Sequence, residues 1–122
     1  MIIGIGTDII SLERIEYALE AFGGKFLQRI LTEKERHYII EINNKENKVA
    51  FLAKRFAAKE AVSKALGTGI GEDLSFQDIE VSNNSEGKPL VSVKKFPGVI
   101  VHLSLSDEKE GLAIAFAVAE RV

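Results

Sequence analysis

The sequence predicts one α+β domain over residues 1–122, with an antiparallel sheet packed against a long central helix and shorter N-terminal helices. Three observations carry that reading. The first half holds apolar residues at helical spacing, the stretch 46–66 is rich in alanine and long straight side chains, and the second half alternates strand-like runs with turn-forming clusters. No internal repeat, low-complexity tract or linker divides the chain.

Residues 2–7 alternate β-branched residues with Gly4 and Gly6, predicting a buried strand that delivers Asp8 at its C-terminal edge. Leu12, Ile15, Leu19 and Phe22 fall three and four apart, which gives a helix over 11–22 that Gly23-Gly24 stops. Phe26, Leu27, Ile30 and Leu31 continue as a short helical piece. Thr32-Glu33-Lys34-Glu35 matches a capping box, in which the threonine and the second glutamate satisfy each other's backbone N–H groups, and it opens a helix to about Ile42. After a loop at 43–45 the main helix runs from about Glu46 to Leu66, with Gly67 placed as its terminator and a glycine-rich connection at 67–71. Strands are expected at 76–82, 90–93, 99–106 and 112–119, separated by turns at 83–89, 97–98 and 107–111 and forming an antiparallel meander.

Composition narrows the chemistry. With 46% apolar and 28% charged residues the chain has the usual globular balance, which favours neither disorder nor a fibrous repeat. No window reaches the roughly 18 to 20 uninterrupted apolar residues of a membrane helix. The N-terminus enters the first strand directly, without a secretory signal, so a cytoplasmic protein is expected. The absence of cysteine excludes disulfides, thiolate metal sites and cysteine nucleophiles, and the two histidines offer little to a histidine-rich site, so any metal is expected to be a hard cation held by oxygen. A net charge of −2 gives no global pull toward nucleic acid, and an anionic partner would need a local basic patch.

The main helix carries the sharpest signal. On a wheel of about 100° per residue, Val49, Ala53, Phe56, Ala57, Ser63 and Lys64 lie within about 60° of Glu60. One carboxylate and one ammonium therefore share a stripe of apolar and small residues. The opposite side holds Phe51, Ala58, Val62 and Leu66, so the helix should be sandwiched and Glu60 partly buried. The plainer account is a surface (i, i+4) ion pair between Glu60 and Lys64, worth roughly 0.3 to 0.5 kcal/mol. A solvated pair has no need of an apolar stripe, however. Asp8 likewise has a plainer reading as a carboxylate that caps or favours the next helix. If strand and helix instead bring Asp8 and Glu60 together, the two carboxylates repel, and a divalent cation turns that repulsion into binding. Magnesium suits such a pair, because it is held by one or two carboxylates plus substrate phosphates, and Lys64 would face the same phosphates.

Gly4-Ile5-Gly6-Thr7-Asp8-Ile9 with Glu13-Arg14, and then the stretch from Arg55-Phe56-Ala57-Ala58-Lys59-Glu60 through Ser63-Lys64 to Gly67-Thr68-Gly69, closely resemble the holo-(acyl-carrier-protein) synthases. These are the small bacterial members of the 4'-phosphopantetheinyl transferase superfamily. The similarity extends over the whole chain, including a late Gly-Lys-Pro turn and a final His-x-Ser-x-Ser strand. Two long motifs about 50 residues apart and in order make the match specific.

The resemblance implies a 4'-phosphopantetheinyl transferase-like fold and an enzyme of fatty-acid biosynthesis. Such an enzyme transfers the 4'-phosphopantetheine group from coenzyme A to a serine of apo-acyl carrier protein, giving the holo form and adenosine 3',5'-bisphosphate. It implies catalytic roles for Asp8, Glu60 and Lys64, with Asp8 and Glu60 binding Mg2+. Coenzyme A is expected at Lys64, Gly67, His102, Arg55, Lys88 and Pro89, in a homotrimer whose sites lie between subunits. Alone, His102 reads as a hydrogen-bonded strand residue. Arg55 lies roughly 140° round the helix from Glu60, so it is expected to serve a neighbouring subunit's site or to anchor the interface. The family strand often continues to His or Thr after its last serine, whereas here Asp107 follows Ser106.

Carrier proteins are acidic, so Arg14, Lys25 and Arg29 around the apolar Phe22, Phe26 and Leu27 form the expected docking patch. A solvated face is the plainer reading of Lys25 and Arg29. One other function fits the sequence equally and two fit less of it. A transferase acting on a broader set of carrier domains would carry the same motifs. A non-catalytic coenzyme A- or nucleotide-binding module would not need Asp8, Glu60 and Lys64 together, and a purely structural oligomer leaves the two charges on the helix stripe unexplained.

Overall fold

Strand β1 (Ile2–Ser11) crosses helix α4 (Lys45–Ala65) at backbone contact, and that crossing organises the molecule. A Cβ on Gly4 would lie 1.9 Å from the Ala65 carbonyl oxygen, and one on Gly6 would lie 2.1 Å from that of Ala61. Only glycine fits at either position, and an alanine at 6 would have to lift the strand off the helix. Alternation puts Gly4, Gly6, Asp8 and Ile10 on the face toward α4. The strand does not end at Asp8 as predicted. Ile9, Ile10 and Ser11 continue the alternation, so Asp8 lies inside the ladder opposite Ala115.

The computed structural model describes residues 1–108 and 110–122. After β1 come α1 (Leu12–Phe22), α2 (Gly24–Ile30), α3 (Glu33–Ile40) and α4, then β2 (Ile79–Asn83), β3 (Pro89–Val93), β4 (Val99–Glu108) and β5 (Leu112–Arg121). Ser11 caps α1 by accepting from the Arg14 N–H. Gly23, at φ 53°, ends α1, but Gly24 starts the next helix at once. The Thr32–Glu35 capping box forms as predicted, and α3 stops two residues early. Asn44 caps α4 through its side-chain oxygen, which accepts from Asn47 N–H at 2.8 Å. Gly67, at φ 85°, follows its C-terminus in the left-handed region that favours glycine. Among the described residues no helix is long and apolar enough to cross a membrane.

The second half differs from a single meander. Strands β1, β5 and β4 form one antiparallel sheet in that order, and β2 with β3 forms a separate hairpin. The first strand, from the opposite end of the chain, occupies the free side of β5, and the meander is interrupted between β3 and β4. The predicted strand over 76–82 begins as a 3-10 turn at Phe76–Asp78, closed by Asp78 accepting from Ser75 N–H at 2.8 Å. Of the predicted turn at 107–111, Lys109 lies outside the described residues.

The sheet is built inside out relative to an ordinary half-buried sheet. On β5 the small residues Ala113, Ala115, Ala117 and Ala119 face α4 and are fully buried, while Leu112, Ile114 and Phe116 face outward at 43–46% exposure. Together with Gly4 and Gly6 these alanines let α4 settle close to the sheet. Helices α1 and α3 and strand β2 also pack against it, which is why the helix is buried nearly all round.

That second side contains a buried ion pair. Lys59 donates to Glu35 Oε1 at 2.6 Å and to the Ile30 and Phe76 carbonyls at 2.7 and 3.1 Å. Glu35 also accepts from Thr32 N–H at 2.8 Å and from Val81 N–H at 2.7 Å. Both charged side chains are essentially inaccessible to solvent. The capping glutamate of α3 thus ties α2, α3, α4 and β2 together, with every ammonium proton of Lys59 used.

Candidate active site

Asp8 from β1 converges with Glu60 and Lys64 from α4. Lys64 Nζ donates to the Thr7 carbonyl at 2.9 Å and lies 3.4 Å from Asp8 Oδ1. The lysine therefore pairs with the strand's carboxylate, not with Glu60 one turn back on its own helix. The glycines explain the geometry, since a strand held farther from α4 would carry Asp8 out of reach. The Asp8 side chain is 16% exposed and Glu60 is half-buried.

Electrostatics mark the two carboxylates as close neighbours. Burial raises the Asp8 carboxyl above its ordinary value, against the lowering effect of Lys64 through hydrogen bond and charge. Burial also raises Glu60, the negative charge of Asp8 raises it further, and Lys64 opposes both. Two partly buried carboxyls, one of them raised by the charge of the other, fit a hard cation that takes its remaining ligands from phosphate and water. Among the described residues there is no cluster of three or more His, Cys, Asp or Glu side chains that would hold a metal without such help.

A separate open cleft of about 960 Å³ lies between the first half of α4, the β2–β3 turn and β4. Arg55, Lys88 and Pro89 line it, whereas Asp8, Glu60 and Lys64 do not. Arg55 is buried, donates to Asn83 Oδ1 at 3.0 Å and lies 4.5 Å over the Phe51 ring, which stacks on Tyr38. Its Nε is buried without a partner, and burial lowers its pKa. Lys88 N–H donates to Asn84 Oδ1 at 2.9 Å in the turn that leads into Pro89. The expected coenzyme A residues thus fall in different places within one chain. Arg55, Lys88 and Pro89 share the cleft, Gly67 follows the C-terminus of α4 just beyond Lys64, and His102 stands on the outer face of β4, 3.0 Å from Glu120.

A family profile described as the 4'-phosphopantetheinyl transferase superfamily matches residues 4–117. This chain belongs to that superfamily. A holo-(acyl-carrier-protein) synthase of Bacillus cereus is 52% identical over 122 residues, spanning 100% of this chain and 95% of the relative. The crystal structure of a holo-(acyl-carrier-protein) synthase from Bacillus anthracis in complex with CoA (3',5'-ADP) is similar at TM-score 0.91 and 49% identity, covering 100% of this chain and 99% of that one. That of the Helicobacter pylori synthase in complex with coenzyme A is similar at TM-score 0.84 and 36% identity, covering 95% and 99%.

On this phosphopantetheinyl transferase fold the expected carrier-docking residues fall on α1 and α2. Arg14, Lys25 and Arg29 are exposed, as is Phe22 at 61%, while Phe26 is half-buried and packs on the core. Two features escaped sequence reasoning. Nothing in spacing distinguishes Lys59 from a solvated lysine, although Glu35 was already marked by its capping box. The second is an ion pair on the cleft wall, Lys54 Nζ to Asp107 Oδ1 at 3.2 Å, whose members are too far apart in sequence for any local pattern to connect them.

Proposed function

We propose that this superfamily member is a magnesium-dependent transferase that moves 4'-phosphopantetheine from coenzyme A to a serine of apo-acyl carrier protein for fatty-acid biosynthesis, releasing adenosine 3',5'-bisphosphate. The convergence of Asp8, Glu60 and Lys64 carries the reading. Asp8 and Glu60 would hold the magnesium. When bound, that ion supplies positive charge to the diphosphate of coenzyme A. Lys64 offsets further charge as the bond to the nucleotide half breaks, and the carrier serine's oxygen bonds to the phosphorus that bears pantetheine. The serine proton would pass to a carboxylate of the site such as Glu60 or to a water held there.

The decisive experiment incubates the protein with coenzyme A, magnesium and an apo-carrier, and follows the carrier by intact mass spectrometry. One added phosphopantetheine that a chelator suppresses supports the reading. An unmodified carrier with a folded protein removes it.

The basic cleft and the acidic site are separate within one chain, and each alone is half a site for coenzyme A. The outer sheet face supports their union across a subunit boundary, because Ile5, Ile9, Ile114 and Phe116 stand 43–63% exposed. A homotrimer joins the cleft of one copy to Asp8, Glu60 and Lys64 of the next. Sedimentation equilibrium is expected to give three times the chain mass, and a monomer at micromolar concentration would rule the arrangement out.

Docking of the acidic carrier is assigned to Arg14, Lys25 and Arg29 around Phe22 and Phe26. Arg14→Glu is expected to raise the KM for the carrier about tenfold at low salt, with the effect shrinking as salt rises. An unchanged KM at every ionic strength would take Arg14 out of the interface.

A further inference from the structure

The cleft holds a charge that works against its proposed ligand. Lys54, Arg55 and Lys88 make its lining basic, yet Asp107 stands among them, 3.2 Å from the Lys54 ammonium. Among the described residues that line the cleft it is the only carboxylate. Both side chains of the pair are about a third exposed, 33% for Lys54 and 31% for Asp107, so water screens them less than it screens a free surface pair. The pair also joins the middle of α4 to the far end of β4 and fixes the Lys54 head group against the wall. Arg55, also on the lining, is 95% buried and keeps its Nε without an acceptor among the described residues.

We propose that Asp107 sets how tightly this cleft grips phosphorylated nucleotide, by holding Lys54 in an ion pair and by opposing the ligand's negative charge. The inference rests on the reading that the cleft takes the adenine-nucleotide end of coenzyme A. With Asp107 present, Lys54 is already neutralised, and among the described residues Arg55 and Lys88 are the cleft's cations without a carboxylate in an ion pair. Removing the carboxylate releases a third cation and deletes a repulsion, and both changes favour a polyanion. Asp107 is thus a specificity-determining residue, and its effect scales with ligand charge. It also favours departure of the product, adenosine 3',5'-bisphosphate, which carries the same phosphates.

Titration calorimetry of adenosine 3',5'-bisphosphate against the intact, metal-free protein tests this without relying on turnover. Asp107→Asn is expected to tighten binding about tenfold at low salt, with a smaller gain for adenosine 5'-monophosphate and a progressive loss of the gain as salt rises. In a Lys54→Met background the same substitution should gain less, because no ammonium is released. In steady state, KM for coenzyme A and kcat should fall together as product release slows. Asp107→Ser provides a second neutral variant should the first fold poorly. Lys88→Met separates the two levels of the argument. If it weakens binding while both neutral variants at 107 leave affinity unchanged or reduced, the assignment of Asp107 fails and the cleft stands. If neither Lys88→Met nor Asp107→Asn moves the affinity, the cleft does not take the nucleotide and both readings fall.

Discussion

Replacing Glu60 with Gln is expected to lower phosphopantetheine transfer by roughly 10²- to 10³-fold while raising the melting temperature of the metal-free protein at pH 8. The two effects have one origin. Burial and the charge of Asp8 push the Glu60 carboxyl above its ordinary value, so ionisation costs the folded state more than the unfolded chain. Below the unfolded value of about 4.5 the group is protonated in both states and contributes nothing. As pH rises through the higher folded value, the wild-type protein loses stability relative to the variant, and the deficit is complete above it. Glutamine keeps the shape and removes the charge. Added magnesium should reverse the order by raising the melting temperature of the wild type more than that of the variant. Thermal melts at pH 4 to 8, with magnesium and with chelator, check both signs. A wild type more stable than Glu60→Gln in chelator at pH 8 would contradict the carboxylate repulsion on which the metal assignment rests.

The second large effect concerns the neighbouring residue. Lys59→Met is expected to destabilise the fold by roughly 3 to 5 kcal/mol, because it leaves the Glu35 carboxylate buried without its counter-charge. That is a large part of the roughly 5 to 15 kcal/mol that holds a domain of this kind together. Adding Glu35→Gln should recover much of the loss, since the neutral amide no longer requires a cation. Urea unfolding of the wild type, both single variants and the double variant gives the coupling directly. A loss below about 1 kcal/mol for Lys59→Met would show the pair to be energetically idle.

Much of the acidic site was legible in the linear sequence. The glycines of the first strand, the acid that follows them and the charged stripe on the main helix are local patterns, and local periodicity reports which residues share a face. The start of α3 and the end of α4 were readable for the same reason, since the Thr32–Glu35 capping box and Gly67 are short-range signals. Strand partnership was not. The pairing of Ile9 with Ile114 spans almost the whole chain, and no turn motif announces it. The strand ending at Asp8 was extended by the same partnership, which supplies hydrogen-bonded neighbours as far as Ser11. Lys59 was invisible for a further reason. Charged residues are almost never fully buried, so a sequence gives no ground for expecting a lysine in the interior.

The layer of alanine and glycine beneath the main helix makes the protein's tolerance one-sided. Where a core is filled by leucine or isoleucine, a lost methyl in one place can be balanced by an added one elsewhere, and the gap between elements can drift either way over many substitutions. Under α4 the side chains are at or within one methyl of the lower limit of size. Each enlargement along that row widens the gap, carries Asp8 away from Glu60 and Lys64, and finds no smaller neighbour to compensate.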